Sequence, residues 1–341
     1  MRILYGITAN GNGHLARSSR IVRILRERGH ELSLVISGEP GKSIMDEKEL
    51  VPFFRFDGFS FATVGGAVSP MATALAARPL RFLKNAIHDI PKLPYDLVIT
   101  DFEPVVAWHA RFRRLRSVGL CHMYSYLYPG VPAPEARWFE RLAFRWLAPA
   151  DIMLGIHWRP YHRNIVPPFV EPCAGEKPET DLVLVYLPWE EPSGYLPALR
   201  AVKGWRFIVY GATEGQDGHV QLKKPGRQGF QRDLNRCTAV LANAGFALAG
   251  EALSKGKRLI LKPYAGQVEQ EHNAREAERL KLASRIDTIR AETLGGLFAE
   301  PAGPPLRFPD MTPRFIEWIE SGAPPVDRRW HDKFWQLPKA P

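Results

Sequence analysis

The chain has 341 residues, 45% of them hydrophobic and 11% aromatic, which is enough to build packed cores in about two domains. This composition excludes a disordered chain, and no apolar run approaches the ~20 residues of a membrane-spanning helix. The formal net charge of +10 favours acidic partners: nucleic acid, an anionic membrane face or a phosphorylated small molecule.

Cys121, Cys173 and Cys237 lie far apart with no C-x-x-C pair, which argues against a disulfide framework or a zinc site and for a reducing, cytoplasmic setting. The opening residues, MRILYGITANG, reach glycine and polar residues too early for the apolar core of a secretory signal.

In chain order, RILYGIT (2–8) reads as a buried strand. GNGHLA (11–16) follows, and its Gly11 and Gly13 satisfy the dinucleotide pattern G-x-G-x-x-G/A between a strand and a helix. Glu39, just past the next strand, is a candidate ribose ligand, so an NAD-linked oxidoreductase stays open beside a purely structural turn. His14 is expected in the first helical turn, where free N–H groups and the helix dipole favour a neutral imidazole able to act as a general base. A capping or packing histidine is the other reading. The helix is expected over residues 17–29, with Ile21, Ile24 and Leu25 at helical spacing and Gly29 as its stop, before the strand ELSLVIS (31–37).

The alternation returns with YDLVITDF (95–102), PVVAWHARFRRL (104–115), RSVGLCHM (116–123), a helix near 134–147 and ADIMLGI (150–156). Asp101 closes an apolar strand, and ligands of open α/β sheets gather outside such ends. It is a candidate to orient His14, as a carboxylate fixes an imidazole tautomer; Glu103 is a second candidate, and capping the helix that starts near Pro104 is the alternative role for Asp101. In EARWFERLAFRWL (135–147), Trp138, Leu142 and Trp146 share one stripe while Arg137, Arg141 and Arg145 share its neighbour. That suits a helix lying on a membrane face, or equally one packed on the core with its arginines in solvent.

PPFVEPCAGEKPET (167–180) breaks both periodicities and marks a domain boundary. The expected division is 1–168, then 169–310, then a tail over 311–341 that packs back on the body. Past the boundary come strands DLVLVYLP (181–188), WRFIVYG (205–211), AVLANAG (239–245) and KRLILKP (257–263), with helices at 246–256 and 267–282. Strands joined by helices predict an α/β chain of two similar units with parallel sheets.

The stretch from 230 to 280, with NAGF, a glutamate within the next helix, and PYAGQVEQEHNA, resembles the donor half of GT-B glycosyltransferases. It is most similar to the branch of the peptidoglycan lipid-linked N-acetylglucosaminyltransferase, and GNGHLAR agrees with it. The resemblance implies a GT-B fold: two facing Rossmann-like domains with an inter-domain cleft, the first on the acceptor side and the second holding a nucleotide sugar. Carried over by position, Asn243, Ala244 and Gly245 stand at the turn before a helix whose N-terminus faces the donor diphosphate, a task for which small residues and a helix dipole are also physically suited. Glu251 matches the ribose ligand, Gly266 and Gln267 the loop next to the sugar, and Glu269, Gln270 and Asn273 the residues that hold sugar hydroxyls and diphosphate. Phe230 resembles the apolar residue against the base. Glu251 could instead pair with Lys255, and the polar side chains could be ordinary surface groups.

The implied reaction is transfer of a sugar, UDP-linked on resemblance alone, to an acceptor hydroxyl with inversion, His14 as base and Asp101 orienting it. No metal or other cofactor is implied. The acceptor reads as a membrane-associated glycolipid or anionic glycan, which would put the protein at the inner membrane face; a hydroxylated DNA base would also exploit the charge. A nucleotide-sugar epimerase or hydrolase on the same fold, and a catalytically inactive sugar-nucleotide sensor, are the remaining alternatives.

Overall fold

The computed structural model describes residues 1–9, 11–38, 47–57, 63–64, 67–68, 79–132, 138–171, 178–211 and 213–337. The chain divides into two compact units, Met1–Phe169 together with Phe308–Pro341, and Val170–Arg307.

In the first unit the strands are β1 (Arg2–Thr8), β2 (Glu31–Gly38), β3 (Phe53–Asp57), a short antiparallel pair β4 (Thr63–Val64) and β5 (Ala67–Val68), β6 (Leu97–Asp101), β7 (Ser117–Cys121), β8 (Ile152–Ile156) and β9 (Ile165–Val166). Seven of them form one parallel sheet in the order β3-β2-β1-β6-β7-β8-β9. The helices are α1 (Asn12–Glu27), α2 (Glu47–Leu50), α3 (Pro79–Lys84), α4 (Pro104–Arg113) and α5 (Trp138–Leu147). Central β1 buries Ile3, Leu4, Tyr5 and Ile7 completely, as a strand covered on both faces must. Each such side chain contributes about 1.5–3 kcal/mol.

Helix α1 turns Leu15, Ser18, Ile21, Val22 and Leu25 inward and ends before Gly29, whose φ of +78° suits glycine. It begins at Asn12, five residues ahead of the expected start at 17, because Gly11 already has the extended backbone of an N-cap and Gly13 is absorbed into the first turn. Helix α4 crosses β1 closely: a Cβ on Gly6 would stand 2.7 Å from the Val106 Cβ. Leu4, Val35, Val98, Val105, Val106 and Ala110 fill that layer.

The second unit carries β10 (Leu182–Tyr186), β11 (Arg206–Tyr210), β12 (Gly215–Asp217), β13 (Val220–Lys223), β14 (Ala239–Asn243), β15 (Arg258–Lys262) and β16 (Ser284–Arg285). Their order is β12-β13-β11-β10-β14-β15-β16, parallel except for the antiparallel edge pair β12–β13. Helices α6 (Pro192–Ala201), α7 (Arg227–Arg236), α8 (Phe246–Ser254), α9 (Val268–Arg279) and α10 (Ala291–Ala299) connect and cover them. Val183, Val185, Leu199, Phe207, Leu241, Ile260, Leu294 and Phe298 lie in its core.

Two last helices, α11 (Met311–Glu320) and α12 (Arg328–Trp335), belong to the first unit. Arg20 meets Asp310 at 2.5 Å, and the Trp335 indole donates to the Ile165 carbonyl at 2.9 Å. Phe315, Trp318 and Phe334 are fully buried, which answers the aromatic content of this segment.

Candidate functional site

Parallel strands aim their C-terminal ends at one edge of a sheet, and in the first unit β1 and β6 are neighbours there. The turn after β1 leads directly into α1, so His14 in its first turn comes over the end of β6. Its Nδ1 lies 2.6 Å from Asp101 Oδ1. Asp101 is wholly buried, whereas the His14 side chain is 23% exposed. The same Nδ1 stands 2.8 Å from a terminal nitrogen of Arg17, so it faces a carboxylate and a guanidinium together.

Asp101 has two further donors on α1. Arg17 forks onto it, Nε to Oδ2 at 2.7 Å and a terminal nitrogen to Oδ1 at 2.5 Å, and the Ser18 hydroxyl donates to Oδ2 at 2.9 Å. Ser18 in turn meets the Tyr5 hydroxyl at 2.9 Å. Burial works to raise the Asp101 pKa, but the charges and hydrogen bonds of Arg17 and His14 outweigh it and hold the carboxyl below its ordinary value. Arg17 and Ser18 are the residues that sequence reasoning missed; both stand on the face of α1 that His14 occupies, one turn on.

Glu103 does a different task. It is the N-cap of α4, accepting from the Val105 and Val106 amides at 2.9 and 2.6 Å and from the Ser37 hydroxyl at 2.6 Å. Burial pushes its pKa up to about 6. Capping thus falls to Glu103 and the histidine contact to Asp101.

In the second unit the loops after β10, β14 and β15 meet at one sheet edge. Asn243 joins them: its Oδ1 accepts from the Trp189 amide at 3.3 Å, and its Nδ2 donates to the Lys262 carbonyl at 3.0 Å and to Glu190 at 3.3 Å. Lys262 pairs with Glu190 at 2.6 Å, and the rings of Trp189 and Tyr264 are 5.4 Å apart. None of Trp189, Glu190, Lys262 and Tyr264 was singled out from sequence. Gly245 is the N-cap of α8, with no side-chain cap, and a Cβ there would meet nothing within 4 Å. Ala244 is buried beside it.

Gly266 adopts φ +76°, which reserves that turn for glycine. Gln267 caps α9, its side-chain oxygen accepting from the Gln270 amide at 2.7 Å. Gln270 and Asn273 are buried and bonded to backbone, Gln270 accepting from the Tyr264 amide at 2.9 Å and Asn273 donating to the Ala244 carbonyl at 2.8 Å. They fix the two turns against each other, while Glu269 is half-buried on the neighbouring face. Glu251, half-buried on α8, accepts from the side-chain Nε2 of Gln231 at 2.6 Å, and burial raises its pKa. Phe230 packs edge-on against Tyr186 and tilted against Tyr210, with ring centroids at 5.4 and 4.9 Å.

Helix α5 leaves Leu142 47% and Trp146 49% exposed, with Arg141 and Arg145 beside them in solvent. Trp146 stacks on Trp108 of α4 at 6.3 Å, and Trp108 touches the exposed Phe112 at 5.4 Å, which extends the aromatic surface into the RFRR stretch. The expected contact at Arg137, the ribose candidate Glu39 and the third cysteine, Cys173, lie outside the described residues, and the structure gives only the backbone of Trp138, where α5 begins. Among the described residues no group of three or more metal-ligating side chains is assembled, and no helix is long and apolar enough to cross a membrane.

Comparison with known proteins locates this geometry. The family model described as glycosyl transferase family 1 matches residues 1–300. Among solved structures, the glycotransferase of kitacinnamycin superposes with a TM-score of 0.64 at 16% identity, covering 95% of this chain and 99% of its own. The structure of LpCGTa in complex with UDP gives 0.61 at 16%, covering 97% of each chain, and the calicheamicin glycosyltransferase CalG4 gives 0.58 at 18%, covering 88% and 90%. No curated protein sequence matches. The likeness to these structures establishes the GT-B fold, two Rossmann-like α/β domains with parallel sheets.

Proposed function

The chain belongs to glycosyl transferase family 1, and from that premise we propose that it transfers a sugar from a UDP-linked donor to an acceptor hydroxyl with inversion at the anomeric carbon. The observation that carries the reading is the 2.6 Å contact between His14 and buried Asp101, which leaves the Nε2 lone pair of a part-exposed imidazole as a general base.

The acceptor oxygen forms its bond to the anomeric carbon while the bond from that carbon to the diphosphate oxygen breaks, and the diphosphate leaves with the electron pair. His14 Nε2 takes the hydroxyl proton, and Asp101 stabilises the resulting imidazolium. The charge on the leaving group is met by the N-terminal end of α8 and its dipole, helped by Lys262 at the end of the neighbouring strand. Glu251 accepts from the ribose diol through the oxygen that Gln231 does not occupy, and the half-buried ring of Phe230 lies against the base. The turn at Gly266 with Gln267 and Glu269 faces the sugar, while Gln270 and Asn273 hold that turn in place. The UDP-bound neighbour supports the choice of nucleotide.

For the acceptor, we favour a glycolipid presented at an anionic membrane face, approached by the exposed surface of Phe112, Leu142 and Trp146 with Arg141 and Arg145. The test is a panel of nucleotide sugars scored by the rise in melting temperature, followed by lipid, glycan and DNA acceptors with the best donor. A UDP-sugar is expected to give the largest rise and to turn over only when an acceptor is added. Conversion of the donor alone would replace transfer by epimerisation or hydrolysis, and a rise only with nicotinamide dinucleotide would overturn the reading.

A further inference from the structure

Lys262 ends β15 beside Asn243, which ends β14 and leads through Gly245 into α8. The Glu190 carboxylate, on the loop after β10, serves both with one oxygen: Lys262 Nζ lies 2.6 Å and Asn243 Nδ2 3.3 Å from Oε1. The Lys262 and Glu190 side chains are 16% and 20% exposed, so solvent screens their attraction only in part. A diphosphate drawn to the N-terminal end of α8 brings its negative charges to this same sheet edge, where Lys262 is their natural counter-ion. The place suited to an anion thus already holds a carboxylate. Such a charge opposes an anionic ligand, and an ion pair this far out of water adds little net stability to justify it.

We propose that Glu190 is a positioning residue of the donor site that competes with the diphosphate for Lys262: it holds the ammonium beside Asn243, yields it when the diphosphate binds and takes it back as the nucleoside diphosphate leaves. This rests on the transfer reading and deepens it, since an exchange that weakens binding of the diphosphate also speeds its release as product. Asn243 makes the exchange possible. Its Nδ2 donates to the Lys262 carbonyl at 3.0 Å and also to Glu190, so the carboxylate keeps a hydrogen-bond donor once the ammonium has turned away. The loop itself is tied down by other contacts, the Trp189 amide on Asn243 Oδ1 and the Trp189 ring against Tyr264, so its position does not depend on the ion pair alone.

The experiment is calorimetric titration of UDP and of inorganic diphosphate into the wild type, Glu190→Gln, Lys262→Met and the double variant, each checked for folding by circular dichroism, with Lys262→Gln in place of Lys262→Met if that variant does not fold. Glu190→Gln is expected to bind both probes about tenfold more tightly and Lys262→Met about tenfold more weakly, the size of one charge-assisted contact. In the double variant the gain from Glu190→Gln should shrink, because no ammonium is left to release. A pair that merely ties the loop to β15 would leave both single variants binding equally or more weakly than wild type; that result overturns the proposal, as does a gain that persists in full without Lys262. Opposite shifts for inorganic diphosphate in a protein indifferent to UDP support the exchange and count against the nucleotide reading alone. UDP bound with equal affinity by all four proteins overturns the exchange and leaves the transfer reading standing, and binding of neither probe overturns both.

Discussion

His14 and Asp101 are separated by 87 positions in the chain and by 2.6 Å in space. The parallel pairing of β1 with β6 brings them together, since it sets the end of one strand beside the end of the other.

Replacing His14 with alanine removes the proton acceptor but none of the second unit's amides. Donor affinity is expected to stay within twofold of wild type by calorimetry, while the transfer rate falls by about 10²–10⁴. A full rate in this variant would remove His14 from the base role.

Asp101→Ala leaves Arg17 buried without its carboxylate. A stability loss of about 3–5 kcal/mol is expected in urea unfolding, because the uncompensated guanidinium keeps its desolvation cost. Since the folded pKa of Asp101 lies below its unfolded value, its stabilisation is complete above the ordinary carboxylate range and is lost as pH falls through the folded value. The acid limb of unfolding should therefore flatten in this variant, and an unaltered limb would count against the ion pair.

Glu103 predicts the opposite slope in a separate window. Burial raises its pKa from 4.5 to about 6, so the folded chain binds the proton more tightly and the protein gains stability as pH falls from above 6 toward 4.5. The gain is about 2 kcal/mol. Unfolding free energies measured across that interval in wild type and Glu103→Gln should differ in slope; parallel curves would contradict the assignment.

Glu251→Ala should weaken donor binding about tenfold, the size of one hydrogen bond to a charged group, with a smaller effect on the rate at saturating donor. Equal dissociation constants for variant and wild type would place the ribose elsewhere.

The alternation of apolar runs with amphipathic segments determined, by itself, that the chain is α/β with parallel sheets, because strands buried on both faces must be continuously apolar and the helices that cover them must be two-sided. The glycine-flanked turns at Gly11 and Gly245 were legible for the same local reason: each sits where a strand ends and a helix must begin. Sequence also singled out His14, Asp101 and Glu251 as chemistry-bearing side chains. It left open whether Asp101 or Glu103 faces His14, since both are carboxylates near one strand end. Only the fold distributed them, giving Glu103 to the α4 amides and Asp101 to the edge beside β1. Arg17, one arginine of several on α1, and the meeting of Trp189, Asn243 and Lys262 were decided by tertiary structure alone. A charged side chain on a helix reads as solvated until something shows that a buried carboxylate lies beneath it, and loops distant in sequence become one surface only when their strands are neighbours in a sheet.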